Sequence, residues 1–352
     1  MQKGGFHIPS LDGLRAISFG IVFGSHVGFT GIPGIFGVTV FFFLSGFLIT
    51  TLLRMEFEKT GHISLRKFYL RRVLRILPPF YLVLGLACAL TAAGVLQGPL
   101  EAHAVAAQAL HFANYWIIWH GYDGFAPGTG VYWSLAVEEH FYLLFPLGYL
   151  ALRRARAQGS HQAAVLFAVC AVILAWRCWL VFGLGSSVER TAVGSDTRFD
   201  SILFGCALAL YGNPMLDPTE VRETIWKYVL FPLALGGLML SFVIRDEPFR
   251  QTFRYTLQGI SLLPIFVCAM RYPTWAVMRP LNWRPVAYVG LLSYSLYLLH
   301  QVVIFGVLPL LGEHRGVLPL AVVSFTTSLA LAWCVYQVVE KPCATLRRHL
   351  TA

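Results

Sequence analysis

Residues 14–29 read LRAISFGIVFGSHVGF, an apolar stretch interrupted by two ionisable side chains, Arg15 and His26, eleven positions apart. At about 100° and 1.5 Å per residue, an α-helix would place both within about 20° of one face and about 16 Å apart along its axis. Ionisable residues inside a membrane usually face a protein interior or a cavity. We therefore interpret this pair as part of a functional site for one elongated ligand.

The rest of the chain has the composition of an integral membrane protein. Its 352 residues are 57% hydrophobic and 12% charged, against about 25% charged in soluble domains. We predict an all-α bundle of about ten transmembrane helices that forms a single domain over residues 1–352. The spans are expected near 14–30, 36–53, 76–96, 131–151, 163–182, 199–212, 227–244, 255–270, 286–311 and 317–339, with an interfacial helix over the more polar segment 103–119.

The first span also carries a stripe of glycines, Gly20, Gly24 and Gly28, on the face opposite Arg15 and His26. Small residues every four positions allow close approach of transmembrane helices. We expect this stripe to pack against a neighbouring helix and leave the other face free to line a cavity.

Charge distribution predicts the orientation. With the N-terminus in the cytoplasm, 20 of the 27 lysines and arginines fall in the segments that would be cytoplasmic, as the positive-inside rule requires. Both termini are therefore predicted to be cytoplasmic. The net charge of +10 reflects this topology and attraction to membrane lipids of the inner leaflet, so no nucleic-acid partner is expected. The seven cysteines lie singly, and we expect neither disulfides nor a metal site.

A second basic motif, KFYLRRVLRILPPFY at 67–81, places Arg71, Arg72 and Arg75 at helical spacings before the third span. Arginines at i, i+3 and i, i+4 would form one patch, and planar guanidiniums bind phosphate oxygens in pairs. A plain anchor to anionic lipid headgroups is the alternative, and the sequence leaves both open.

The segment YWSLAVEEHFYLLFP at 132–146 puts Glu138 and Glu139 about two turns into the fourth span. A carboxylate at this depth needs a partner or a cavity, so at least one is a candidate for acid–base chemistry. His140 is a candidate partner.

The sequence allows two interpretations of His26. A neutral imidazole here could take a proton from a hydroxyl or attack a thioester, or it could be a buried ring bonded to a neighbouring carbonyl. Arg15 has the alternative of anchoring the cytoplasmic end of its helix. Asp200, His300 and Glu340 are polar residues whose simplest role is hydrogen bonding between helices.

Six segments in order resemble acyltransferase family 3, the membrane O-acyltransferases that acetylate bacterial glycans and some small-molecule sugars or macrolides. They are IPSLDGLRAISFGIVFGSHVGF, GVTVFFFLSGFLIT, FYLRRVLRILPPFY, YWSLAVEEHFYLLFP, RFDSILFGCALA and GLLSYSLYLLH.

The resemblance implies roles for individual residues. The family's Arg and His pair falls on Arg15 and His26, and its R-x-x-R motif falls on Arg72 and Arg75, with Arg71 beside them. These residues would bind the acyl-CoA donor and carry the chemistry. The catalytic candidates are then His26, Glu138 and Glu139, and the supporting candidates are Asp12, Ser45, Asp200 and His300.

The implied activity is transfer of an acyl group, usually acetyl, from cytoplasmic acetyl-CoA to a sugar hydroxyl. Acetyl-CoA would be a co-substrate, with no bound cofactor, and the acceptor a surface glycan such as lipopolysaccharide or a lipid-linked saccharide. The expected location is the bacterial cytoplasmic (inner) membrane. Many relatives carry a fused SGNH hydrolase-like domain; we expect this chain, which ends at Ala352, to be the form without it.

Two alternatives remain open at this stage. One is acylation of a macrolide or another secondary metabolite. The other is a proton-coupled transporter in which His26, Glu138 and His300 form a relay. The oligomeric state is not predicted by the sequence.

Overall fold

The computed structural model describes residues 9–155, 157–312 and 316–351, and these ranges are helical with no β-strand. Among the described residues, seven helices are long and apolar enough to cross a membrane. The predicted all-α integral membrane fold is confirmed, while the count of ten spans and the side of each terminus stay predictions. The helices are α1 (Pro9–His26), α2 (Gly34–Thr60), α3 (Leu65–Ala92), α4 (Ala102–Ala109), α5 (Ala113–His120), α6 (Trp133–Arg154), α7 (Gly159–Cys178), α8 (Val188–Val193), α9 (Ser195–Leu210), α10 (Glu223–Ile225), α11 (Phe231–Val243), α12 (Glu247–Gln251), α13 (Phe253–Arg271), α14 (Arg284–Leu291), α15 (Ser293–Val307), α16 (Val317–Val335) and α17 (Lys341–Thr351).

The expected spans match long helices in the same order, but several limits differ. Helix α3 begins at Leu65, well before the expected start at 76, because the Ser64 side chain caps it by accepting a hydrogen bond from the Lys67 amide. The expected span 286–311 is divided into α14 and α15 on either side of Leu292. Arg198, which precedes the expected span 199–212 by one residue, lies fully buried inside α9.

The segment 103–119 is not one interfacial helix. It forms α4 and α5, which break around His111, a non-glycine residue with φ of 58°. Polar side chains that we expected at the membrane interface face the interior of the protein instead. Buried Gln108 donates to Thr129 at 2.9 Å, and buried Asn114 donates to Ser195 at 2.9 Å. These amides connect the α4–α5 pair to the core of the protein.

The glycine stripe of α1 does not make the expected helix contact. A Cβ added at Gly20 would meet no atom within 4 Å in the described structure, and one at Gly24 would meet the side chain of Ile32 in the loop that follows α1. Gly28 lies beyond the helix with φ of +101°, a conformation that glycine adopts without steric cost. That expectation was wrong because regular spacing shows which residues share a face and not which face a neighbour covers.

Other glycines provide the close contacts. A Cβ added at Gly46 of α2 would lie 2.0 Å from the Ile202 carbonyl oxygen, and one added at Gly205 of α9 would lie 2.0 Å from the Phe43 carbonyl oxygen, so α2 and α9 meet backbone to backbone. A Cβ added at Gly290 of α14 would lie 1.8 Å from the Asp12 carbonyl oxygen of α1. Helix α1 is therefore held in place near Asp12 and Arg15.

A fully buried ion pair connects α7 to α9. Arg177 Nη2 lies 2.7 Å from Asp200 Oδ2, and both side chains are 0% exposed. Arg177 also donates to the carbonyl oxygen of Thr197 at 2.6 Å and to the hydroxyl of Thr256 at 2.7 Å. This arrangement matches the simplest role that we considered for Asp200, hydrogen bonding between helices.

We expect Asp200→Ala to lower the free energy of unfolding by about 3–5 kcal/mol, because it leaves the Arg177 guanidinium buried without its counter-charge. Arg250→Ala is the control, since its pair with Glu247 is about half exposed and should be worth less than about 1 kcal/mol. Unfolding of the purified protein in detergent measures both changes. Equal small losses would show that the buried pair does not stabilise the bundle.

Candidate functional site

Arg15 projects from α1 toward polar side chains on two other helices. It is ion-paired with Asp12, one turn earlier on the same helix. Its guanidinium also interacts electrostatically with Arg75 of α3 and Tyr142 of α6. The structure thus brings two arginines from separate sequence motifs into one region of the bundle.

The consecutive residues Arg71 and Arg72 of α3 face different neighbours. Arg71 donates to Oε2 of Glu56 on α2 at 2.7 Å. Arg72 lies over the ring of Tyr142, with Cζ 5.6 Å from the ring centroid. Neither Arg72 nor Arg75 forms an ion pair with any residue that the structure describes. Their positive charges are available for an anionic ligand.

Glu138 of α6 reaches the same region. Its carboxylate interacts with the hydroxyl groups of Ser45 and Tyr142, which lie 2.8 Å apart. Glu139 interacts electrostatically with Glu138 and with Arg72. We call the five charged residues of this region the arginine–glutamate cluster: Arg15, Arg72, Arg75, Glu138 and Glu139.

The His140 side chain of α6 does not face the arginine–glutamate cluster. Its Nδ1 lies 2.7 Å from the hydroxyl oxygen of Ser195 at the start of α9. Asp200 lies on α9 in the buried pair with Arg177. The structure thus gives His140 and Asp200 partners that belong neither to the arginine–glutamate cluster nor to the His26 end of α1.

The C-terminal part of the chain completes the cluster. The Ser295 hydroxyl of α15 donates to Glu340, and Glu340 interacts electrostatically with Arg75. Arg347 of α17 interacts with Arg75 and Arg71. We did not select Tyr142 or Arg347 from the sequence, because neither stands out from the aromatic and basic residues around it.

His26 forms the second part of the site, at the other end of α1. Its Nδ1 lies 2.8 Å from Nε2 of His300 on α15, and the two rings are nearly parallel, with centroids 5.1 Å apart and an interplanar angle of 16°. His300 is fully buried, and its Nδ1 lies 2.7 Å from the carbonyl oxygen of Tyr297. Two histidines that we selected separately are therefore hydrogen-bonded to each other.

Two cavities meet at His26, and they share Gln301 and Phe305. The first, of about 400 Å³, is lined mainly by apolar residues of α15 and α16, including Ile304, Leu308 and Leu320. The second, of about 420 Å³, has aromatic and polar walls that include Tyr122, Trp133, Gln97 and Gln301. The imidazole can therefore contact molecules that enter either space.

The wall of the second cavity is held close to α15. A Cβ added at Gly128 would lie 2.4 Å from the Val302 amide nitrogen, so the loop before α6 touches the helix backbone. Arg198 is fully buried with its Cζ 5.9 Å from the centre of the Trp133 ring. No sequence pattern identifies Gln301, Tyr122 or Trp133 as cavity-lining residues, because the cavity forms only when distant loops and helices come together.

The two parts of the site differ in the chemistry that they can offer. The arginine–glutamate cluster offers unpaired guanidiniums to an anion, and His26 offers an imidazole to a neutral reacting group. Among the described residues, no three His, Cys, Asp or Glu side chains lie close enough together to hold a metal ion.

Sequence comparison decides the family. A family model described as an acyltransferase domain, that of acyltransferase family 3, matches residues 8–337. The chain belongs to acyltransferase family 3. The match covers α1 to the end of α16, so it includes His26, His300 and all five residues of the arginine–glutamate cluster.

Two relatives illustrate this family 3 membership. The chain is 27% identical to the peptidoglycan O-acetyltransferase OatA of Listeria monocytogenes in an alignment of 352 positions that covers 96% of this chain and 56% of the relative. It is 30% identical to the O-acetyltransferase OatA of Staphylococcus aureus in an alignment of 354 positions that covers 96% of this chain and 57% of the relative. The chain thus spans little more than half the length of these relatives. No solved structure matches it.

Proposed function

We propose that this protein transfers an acetyl group from acetyl-CoA to a hydroxyl group of a sugar in a cell-surface glycan or a lipid-linked saccharide. One observation carries the proposal: α1 bears Arg15 among unpaired guanidiniums at one end and a cavity-lining histidine at the other. The relatives named above are O-acetyltransferases, one of them acting on peptidoglycan. The proposed location is the bacterial inner membrane.

The arginine–glutamate cluster is the proposed site for the phosphates of the donor. Arg72 and Arg75 are not neutralised by ion pairs in the described structure, and guanidiniums form strong charge-assisted bonds to phosphate. Arg15 and His26 are separated by about 16 Å along α1, which is close to the length of a pantetheine arm. A donor bound through its phosphates on the cytoplasmic side can thus present its thioester to His26.

His26 carries the proposed chemistry. In direct transfer, its ring nitrogen takes the proton of the acceptor hydroxyl while the hydroxyl oxygen attacks the thioester carbonyl carbon. The carbon–sulfur bond breaks, and the leaving thiolate takes the proton from the imidazolium to give free CoA. In a relay, the nitrogen attacks the thioester first, the carbon–sulfur bond breaks and the CoA thiolate leaves. The acetyl group then passes from the nitrogen to the acceptor hydroxyl, whose proton is released to water and balances the thiolate. Ping-pong kinetics would identify the relay.

The aromatic cavity is the proposed acceptor site. Its volume of about 420 Å³ lies within the usual range for small-ligand pockets, roughly 300–1,000 Å³. Tyr122 and Trp133 offer aromatic faces to a sugar ring, and Gln97 and Gln301 offer amides to its hydroxyls. The loops that form this wall are predicted to lie outside the cytoplasm, where surface glycans are found.

We expect His26→Ala to abolish acetyl transfer, because it removes the only side chain proposed to exchange the proton. The measurement uses inside-out membrane vesicles supplied with acetyl-labelled acetyl-CoA, followed by counting of label in the glycan and lipid fractions. His103→Ala, a change at an exposed histidine of α4, is the control and should transfer label like the native protein. Equal transfer by all three proteins would leave His26 a structural residue.

Arg72→Gln should weaken CoA binding about 10- to 100-fold, since a charge-assisted hydrogen bond contributes about 1.5–3 kcal/mol. Titration calorimetry of the purified protein with CoA measures this without requiring turnover. Arg71→Gln is the matched control on the preceding residue, whose guanidinium is already held by Glu56, and should change affinity less. A larger effect of Arg71→Gln than of Arg72→Gln would place the phosphate site at Arg71 and not at Arg72.

Tyr122→Ala should raise the KM for a soluble acceptor, a peptidoglycan tetrasaccharide, about tenfold, equivalent to about 1.4 kcal/mol of lost contact. Hydrolysis of acetyl-CoA without acceptor should not change, since the donor site is intact. Trp119→Ala removes a more exposed aromatic that does not line the cavity and serves as the control. An unchanged KM in Tyr122→Ala would exclude this cavity as the sugar site.

A further inference from the structure

The hydrogen-bond geometry of His300 determines which of its nitrogens carries hydrogen. Nδ1 lies 2.7 Å from the Tyr297 carbonyl oxygen, and a carbonyl oxygen can only accept, so Nδ1 is protonated. His300 is fully buried beside the rings of Phe19 and Phe23, and none of the described carboxylates forms an ion pair with it. A charged imidazolium is costly in such surroundings. His300 is thus neutral, with a lone pair on Nε2.

That lone pair determines the state of His26. Nε2 of His300 lies 2.8 Å from Nδ1 of His26, and two lone pairs cannot form a hydrogen bond. Nδ1 of His26 must therefore carry the hydrogen and donate it. In the neutral ring the remaining nitrogen, Nε2 of His26, is then unprotonated, and it has no hydrogen-bond partner in the described part of the chain. Since His26 lines both cavities, this is the nitrogen available to a substrate.

We propose that His300 is a positioning residue that holds His26 in the tautomer with a reactive Nε2. The inference rests on the proposed function and adds the residue that makes His26 competent for it. Without an acceptor at Nδ1, neutral His26 can equally carry its hydrogen on Nε2, and in that form Nε2 has no lone pair with which to take a proton or attack a thioester.

The same bond assists the later part of the reaction. When Nε2 takes the acceptor proton, or when it forms the bond to the acetyl carbon, positive charge develops on the ring. The Nδ1–H then becomes a stronger donor, and its bond to His300 becomes charge-assisted. In direct transfer the charge is lost again when the Nε2 proton passes to the CoA thiolate, and in the relay it is lost when the acetyl group leaves Nε2 for the acceptor hydroxyl. His300 itself gains and loses no proton in either route.

A purely structural role for His300 would be to join α15 to α1. Its ring packs against Phe19, with centroids 5.7 Å apart, and meets the ring of His26. Two substitutions separate packing from hydrogen bonding. His300→Phe keeps an aromatic ring but offers no acceptor, whereas His300→Gln loses the ring but keeps a carbonyl oxygen that can accept from Nδ1.

The first readout is turnover by the purified full-length protein in detergent, where acetyl-CoA and the peptidoglycan tetrasaccharide reach both faces of the bundle. We expect His300→Phe to lower kcat about 100-fold, with the KM for acetyl-CoA within about twofold. His300→Gln should recover most of that loss, to within about tenfold of native kcat. A structural role predicts the opposite order, because Phe is the better replacement for a buried ring. Activity of His300→Phe equal to or above that of His300→Gln overturns the proposal.

The second readout does not depend on activity. Nitrogen NMR of the purified full-length protein, labelled with ¹⁵N-histidine, distinguishes the two neutral tautomers of His26, whose signals are assigned by their loss in His26→Ala. Native protein should show hydrogen on Nδ1, and His300→Phe should shift the population toward hydrogen on Nε2. Hydrogen on Nε2 in the native protein refutes the inference even if acetyl transfer is found. A native Nδ1–H signal without any acetyl transfer instead refutes the proposed function.

Discussion

A polar group inside a bilayer has no water to bond, so the protein itself must provide its partner. This constraint accounts for most of the polar contacts in the bundle. Arg177 and Asp200 pair in the core, and Gln108 and Asn114 turn inward to meet Thr129 and Ser195. Against that background, the polar groups without partners are informative. Arg72 and Arg75 lack ion pairs among the described residues, and Nε2 of His26 lacks a hydrogen bond there.

Arg72 and Arg75 of α3 lie in one region with Arg15, near the start of α1, and His26 is the last residue of that helix, which its neighbours hold closely. Near Asp12 the backbone of α1 touches Gly290, and an added Cβ at Gly37 of α2 would lie 2.5 Å from the Ser18 carbonyl oxygen. At the other end, His300 holds His26 by a hydrogen bond. In the proposed function, helix α1 is a rigid spacer between the donor phosphates and the base, which is what a long donor with its reactive group at one end requires.

The sequence predicted the local features well. Helical order, the shared face of Arg15 and His26, and the family followed from periodicity, intramembrane charge and ordered motifs, and the structure and the comparisons agree with the fold and the family. The sequence predicted the contacts between helices poorly. Adjacent residues Arg71 and Arg72 looked like one patch, yet one bonds Glu56 and the other lies over Tyr142. The glycines at 20, 24 and 28 looked like a packing face, yet the close contacts fall on Gly46, Gly205 and Gly290.

The difference has one physical reason. Backbone geometry within a helix is set by residues three or four positions away, so the sequence by itself determined the helices, their apolar length and which side chains share a face. Contacts between helices depend on how whole surfaces pack. His26 and His300 are 274 positions apart, and no local rule pairs them. Only the tertiary structure therefore decided the tautomer of His26, the walls of its cavities and the membership of the arginine–glutamate cluster.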